Sequence, residues 1–338
     1  MTLLTQSPPN AVRRSALLVY LVLAYAGMWA AMAPLLATGY RRADAREETG
    51  ALEQLCISAA MLAPALAALF VVRFVERGGR GGRERPGGPG GPGGLGGEGR
   101  DGGGVGGVRE ALALRWPRPR GRALRACLLP LGVLGGLTAA TLALGALLGS
   151  YPFVGFGSLS AGQVGGWAVQ GLIGMALSLP LFFGEEIGWQ GFLFPRLLRL
   201  GEAGRGSDGG KEPGLVRAYV LTGTAFALWH LPTLLMGGQY PGRPWYLAVP
   251  ALTVSCVLVL PVFTWLRLRS GSVIPAVLAH TFTSSMSVSM VREFADPDAE
   301  LDPLTMSLAG WPGWIVLGAF VAFLGCTGRL RPGRYGPG

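Results

Sequence analysis

Only two histidines occur in this 338-residue chain, His230 and His280, and both fall inside long apolar runs. A third apolar run ends in the adjacent acids Glu185 and Glu186. Ionisable side chains are expensive in hydrocarbon, so a membrane segment that keeps them marks a buried polar site. Two imidazoles and a carboxylate pair are also what water activation requires: a base, a group to orient the water or share its proton, donors for an oxyanion, or ligands for a metal. The pattern reads as a membrane-embedded enzyme.

The acids stand in Phe183-Gly184-Glu185-Glu186-Ile187-Gly188-Trp189-Gln190. On a continuous α-helix Glu186 and Gln190 share a face one turn apart, while Glu185 points about 100° away. Two neighbouring acids can therefore take different jobs, although an acid pair can also simply end a span at the headgroups. His230 stands in Phe226-Ala227-Leu228-Trp229-His230-Leu231-Pro232. Pro232 removes one backbone hydrogen bond and can kink the helix there, opening a cavity. The bland alternative is a neutral imidazole bonded to a neighbouring helix. His280 and Ser284 stack at i and i+4, with Thr283 beside them. Hydroxyls in membrane helices usually bond back to their own backbone, so the Ser/Thr run alone is no site. No His-Glu-x-x-His helix, Gly-x-Ser-x-Gly elbow, phosphate loop or paired-Asp intramembrane motif is present.

The elements that must position these groups are spanning helices. Runs of about 20 apolar residues predict eight, at 15–39, 52–72, 124–149, 164–187, 216–237, 246–266, 271–291 and 309–328. The expected fold is an all-α polytopic membrane bundle. Charged residues are only 14% of the chain and hydrophobic ones 50%, far from the balance of a soluble domain. The first run is too long for a cleavable signal and is expected to stay as an anchor. Counting Lys and Arg by loop places 24 of 29 on the side of the N-terminus, so both termini are expected in the cytoplasm. The net charge of +10 then faces anionic lipid headgroups rather than nucleic acid. Cys56, Cys127, Cys256 and Cys326 lie in apolar runs without metal-type spacing and read as packed thiols.

Five regions follow: an N-terminal transmembrane pair (1–75), a Gly/Arg-rich cytoplasmic loop (76–122), a third span with its outer loop (123–163), the core carrying the three motifs (164–292), and an acidic outer loop, last span and cytoplasmic tail (293–338). Residues 76–107 are too poor in apolar side chains to offset chain entropy and are expected to be disordered. Residues 108–125 are expected on the inner membrane surface, and 201–214 as a shorter linker.

Glu185-Glu186-x-x-x-Gln190, Phe226-x-x-x-His230 and His280-x-x-x-Ser284, in that order on separate helices, resemble the three motifs of the CPBP family. That family comprises CAAX prenyl proteases of the glutamate type and bacteriocin-processing relatives. The contexts Glu185-Glu186-Ile187-Gly188-Trp189 and Trp229-His230-Leu231-Pro232 are similar to its bacterial members, and the likeness covers about residues 165–290. Two positions depart from the family pattern: Gln190 stands where Arg is usual, and Ser284 where Asn or Asp is usual.

The resemblance implies an intramembrane endopeptidase. Glu185 would activate a water that His230 orients or whose proton it shares. His280 and Ser284 would stabilise the oxyanion, with Glu186, Gln190 and Phe226 in support. Within the family the alternative is a zinc ion on Glu185, His230 and His280, with Glu186 as base; cofactor use, none or zinc, stays open. Implied partners are a peptide or lipidated-protein substrate and membrane lipids, without nucleic acid. The Gly, Ala and Arg richness points to a bacterium of high genomic GC content, hence a bacterial plasma membrane and a substrate other than a prenylated tail. The competing classes are a catalytically reduced membrane scaffold or bacteriocin-immunity factor, which Gln190 and Ser284 favour, and a proton-coupled transporter.

Overall fold

A computed structural model describes residues 10–42, 50–76, 105–117, 121, 123–203 and 212–331. In chain order the helices are α1 (Asn10–Ala37), α2 (Ala51–Phe70, widening into a π-helical turn at Val71–Val75), α3 (Val105–Ala111), α4 (Ala123–Leu147) and α5 (Ala161–Glu186). A π-helical segment, Ile187–Leu193, continues α5 into α6 (Phe194–Ala203). Then follow α7 (Glu212–Trp229), α8 (Leu231–Leu235), α9 (Trp245–Ser270), α10 (Ile274–Ser284), α11 (Met286–Glu293), α12 (Pro303–Met306) and α13 (Trp311–Cys326). The only β pairing among the described residues is an isolated bridge, Phe153–Ala295. The chain is an all-α polytopic bundle, as its apolar runs predict. In lipid a backbone must satisfy its own hydrogen bonds, and the helix does so locally.

Among the described residues, seven helical stretches are long and apolar enough to cross a membrane: Arg14–Ala37, Ala51–Val75, Ala123–Leu147, Ala161–Gly201, Trp245–Ser270, Ile274–Glu293 and Pro303–Cys326. The expected span at 216–237 is not among them. The apolar run continues to Met236, but the α7 helix stops at Trp229. His230 takes φ −77° and ψ 3°, and a separate short helix, α8, begins at Leu231 with Pro232 in its first turn. Hydropathy counts apolar residues and cannot see this break.

The α1–α2 hairpin packs on one side of α5, and α10 on the other, while α9 lies against α7, α10 and the π-helical segment. One apolar core joins α1, α2, the π segment, α7 and α9; a second joins α4, α9, α10 and α13. The start of α5 is fixed by a capping box, in which Ser160 Oγ accepts from Gln163 N–H and Gln163 Oε1 accepts from Ser160 N–H, both at 3.2 Å. At the far end of α9, Gly271 adopts φ +62° and ends the helix in the left-handed conformation that glycine tolerates best.

Within the loop expected over 76–122, residues 77–104 lie outside the described residues, as do 204–211 of the 201–214 linker. Of the stretch expected to be disordered, the described residues are Glu76, which follows the π-helical turn of α2, and Val105–Gly107, which open α3. Within 108–125, Leu112 is fully buried, Ala113 O accepts from Val273 N–H at 3.3 Å, and Arg115 Nε donates to Gly271 O at 2.7 Å. Leu112 and Ala113 are apolar and buried, so this stretch packs under the bundle and braces the site from the loop side despite the charges around it.

Candidate active site

The site is built around the change from α- to π-helix at Glu186. A π segment inserts a wider turn, which leaves backbone geometry that neighbours must stabilise, and such turns are frequent at functional sites. Here three glycines let neighbours approach. A Cβ on Gly184 would fall 2.8 Å from Met61 O, one on Gly191 2.8 Å from Leu112 O, and one on Gly188 2.5 Å from Pro64 Cβ and 2.6 Å from Tyr20 Oη. The wide turn is therefore clamped by α1, α2 and the segment after α3.

All of Gly184–Phe194 is buried, and Glu185 and Glu186 are 2% and 1% exposed. Glu186 Oε1 bonds His280 Nδ1 at 2.8 Å, across from α10. This bond orients the imidazole and turns Nε2 away from Glu186. Gln190 is fully buried, and its Oε1 accepts from Thr264 Oγ1 of α9 at 3.0 Å. Glu185 Oε2, Glu186 Oε2 and Gln190 Nε2 are buried without a hydrogen-bond partner among the described residues. Buried polar atoms are rarely left unpaired in protein interiors.

His230 sits at the α7–α8 break, and its Nδ1 donates to Phe226 O at 2.9 Å in the neutral form, which leaves Nε2 as an acceptor. The Phe226 ring stands edge-on to both imidazoles, with centroids 4.9 Å from His230 and 5.4 Å from His280. Phe182 and Phe263 complete the wall around His280 at 4.7 and 5.5 Å. Trp189 packs on Phe226 and Trp229, and Tyr20 of α1 stacks on Phe192 at 4.6 Å. Helix α1 is tied to α7 by Trp229 Nε1 donating to Ala24 O (3.0 Å) and Tyr25 Oη donating to Ala225 O (2.6 Å).

Of the residues singled out in the sequence, Glu185, Glu186, Gln190, Phe226, His230 and His280 come together. Ser284 does not join them in this arrangement: it is the exposed last residue of α10, next to the break at Ser285. Among the described residues no group of three His, Cys, Asp or Glu side chains is placed to hold a metal ion, and Glu185, His230 and His280 form none. Phe226 stands against both imidazoles, and His280 Nδ1 is taken by Glu186. The donors present thus do not fit the zinc set. Sequence reading missed Tyr20 and Thr264 as site walls, and had Trp189 and Trp229 only as motif context. The one signal for Tyr20 was Gly188, which calls for a close partner.

A helical membrane bundle with buried Glu185, Glu186 and His280 and a half-buried His230 at a π-helical turn is the class that fold and site define. Residues 165–286 match the family model of the type II CAAX prenyl endopeptidases, described as Rce1-like. That match agrees with the resemblance of its three motifs to the CPBP intramembrane proteases. No curated protein and no solved structure matches the chain.

Proposed function

We propose that the chain hydrolyses a peptide bond in a membrane-associated peptide or protein tail, with Glu185 as general base. The observation that carries this is the difference between the two acids: each has an unpaired Oε2, but Glu186 is bonded to His280 through Oε1, while Glu185 has no hydrogen bond among the described residues. Glu185 takes a proton from the attacking water, and His230 Nε2 accepts the water's second hydrogen and orients its lone pair. His280, held at Nδ1 by Glu186, donates from Nε2–H to the developing oxyanion when it is protonated, a contribution commonly worth about 3 kcal/mol. Ser284 serves at the rim, within reach only after α10 shifts. Glu185 then returns its proton to the leaving amine.

No step here runs through a metal; the alternative with zinc predicts near-stoichiometric metal in the purified protein and loss of activity on chelation. The substrate is a bacterial membrane or secreted peptide, processed in the plasma membrane with both termini of the enzyme in the cytoplasm. The closed site and the exposed Ser284 favour a second reading, a scaffold or bacteriocin-immunity factor that keeps the fold without turnover. Comparing membrane and secreted peptides from cells carrying wild-type protein or Glu185→Ala separates the two. Peptides or new termini that vanish with the variant support the protease. Identical profiles with equal expression, and equal rescue of a deletion strain, leave the scaffold.

A further inference from the structure

Glu185 and Glu186 are 2% and 1% exposed, so an element packed on the π-helical turn must move before a peptide reaches them. The α1–α2 hairpin, α9 and α10 are built into the two large apolar cores and are poorly placed to do so. The stretch after α3 is held less firmly. Its backbone lies flush on the turn, with Leu112 O 2.8 Å from where a Cβ on Gly191 would stand. Its anchors are the buried Leu112 and two hydrogen bonds, Val273 N–H to Ala113 O (3.3 Å) and Arg115 Nε to Gly271 O (2.7 Å). Val108, Ala111 and Leu114 pack only partly buried against the core. The stretch is also strained. Leu114 N–H bonds Arg109 O (2.7 Å) and Ala113 N–H bonds Glu110 O (3.2 Å), closing α3 in a Schellman motif with Ala113 at its left-handed position. Ala113 has φ +53°, the one positive φ of a non-glycine residue among the described residues, and its Cβ makes that conformation costly. Strain of this kind collects at clamps and switch regions.

We propose that Leu112–Arg115 is an autoinhibitory lid, which closes the loop side of the site when docked and lifts to let a peptide substrate reach Glu185. It rests on Gly191, next to Gln190, and on the turn at Gly271–Val273 that leads into α10, the helix carrying His280. The lid thus bridges the two elements whose side chains meet in the Glu186–His280 bond. The left-handed turn at Ala113 aims its carbonyl at Val273 and brings Arg115 to Gly271. Helix α3 has seven residues, too few to stay helical alone in water, so a lifted segment relaxes and loses the strain at Ala113. Strain therefore favours the open form, and the anchors favour the closed one. Relieving the strain should shut the lid, and removing an anchor should open it.

The proposal deepens the protease reading and rests on it for its activity readout, so opening is also measured without turnover. Hydrogen exchange of the Val273 amide, resolved by fragmentation mass spectrometry of the purified full chain, reports release of Ala113 O. The Val277 amide, bonded to Val273 O at 3.0 Å, reports opening of α10 itself. Wild type, Ala113→Gly and Arg115→Ala are compared, with melting curves to confirm that each is folded. In wild type, Val273 should exchange roughly tenfold faster than Val277, because local opening outruns opening of the core. Ala113→Gly should slow Val273 about fivefold and Arg115→Ala should speed it about fivefold, with Val277 unchanged in both. Peptide output that depends on Glu185 should fall in Ala113→Gly and rise in Arg115→Ala, each severalfold. Equal exchange of Val273 and Val277 in wild type overturns the proposal, since the segment then opens only with α10. So does faster Val273 exchange with lower output in folded Arg115→Ala, which would make the segment a fixed brace. If Arg115→Ala fails to fold, Ala113→Gly decides alone: unchanged exchange or undiminished output sinks the lid. If no peptide depends on Glu185, the protease reading fails while the exchange pattern still decides whether the segment opens on its own.

Discussion

Gly188→Ala tests the clamp on the π-helical turn. The added methyl would lie 2.5 Å from Pro64 Cβ, 2.6 Å from Tyr20 Oη and 3.0 Å from the Pro64 carbonyl carbon. Carbon contacts prefer about 3.5–4.0 Å, so each near neighbour must give by about an ångström. Overpacking of this kind costs about 1–3 kcal/mol. At roughly 2–4 °C per kcal/mol for chains of a few hundred residues, the melting temperature should fall by several degrees. Tyr20→Phe sharpens the test. The Tyr20 hydroxyl is buried without a partner among the described residues, so removing it alone should leave melting unchanged or raise it. In the double variant the Tyr20 overlap is gone and the Pro64 overlap stays. The two changes should couple by about 1 kcal/mol, beyond the roughly 0.3–0.5 kcal/mol scatter of independent sites. Thermal unfolding of the four purified proteins, followed by helical circular dichroism, measures the cycle. Strict additivity would refute the close approach of α1 to the turn. Activity should suffer more than stability, because a displacement of about 1 Å at a reacting group can cost around a hundredfold.

Glu186→Gln keeps the shape of the bond to His280, 2.8 Å in the wild type, but removes its charge. A charge-assisted bond is roughly twice as strong as a neutral one, so peptide output should fall about tenfold with the fold intact; undiminished output would show that Glu186 does not set the working form of His280. Arg196→Lys tests the other brace of the turn. Arg196 binds Glu76 through Nε at 2.7 Å and Nη2 at 2.8 Å, donates from Nη1 to Phe192 O at 3.2 Å, and lies 3.7 Å over the Phe192 ring. Lysine cannot reproduce the fork or the stacking, so a loss of about 1–3 kcal/mol is expected, and an unshifted melting curve would contradict it.

The parts of the site visible in the sequence are those where residue type clashes with its surroundings. Glu185, Glu186, His230 and His280 are conspicuous because hydrocarbon does not tolerate them without cause. The apolar runs likewise announce the bundle. What stayed hidden depends on backbone detail that apolar patterning does not encode. A run from 216 to 237 looks continuous although the helix breaks at His230, because Leu228 and Trp229 before the break and Leu231, Leu234 and Leu235 after it are all apolar. Ser284 looks stacked under His280 by spacing, yet α10 ends there and leaves it exposed. Tyr20 and Pro64 carry no polar signal toward the site. Only the packing of Gly188 reveals them.

The α-to-π transition also explains how adjacent acids in one sequence come to hold different roles. Glu186 is the last residue of the regular helix and meets His280 across the α5–α10 contact. Glu185 precedes it by one step and faces elsewhere, so the same imidazole cannot take both at Nδ1. From Ile187 the wider turn carries Gln190 to Thr264 on α9, which fixes the helix on the far side of Glu186. The second acid is thus held from α10 and the turn below it from α9, while the first has no hydrogen bond among the described residues. A base must be the carboxylate that is free to accept a proton. In the proposed mechanism that requirement selects Glu185, and it makes Glu186 a holder of His280 rather than a second base.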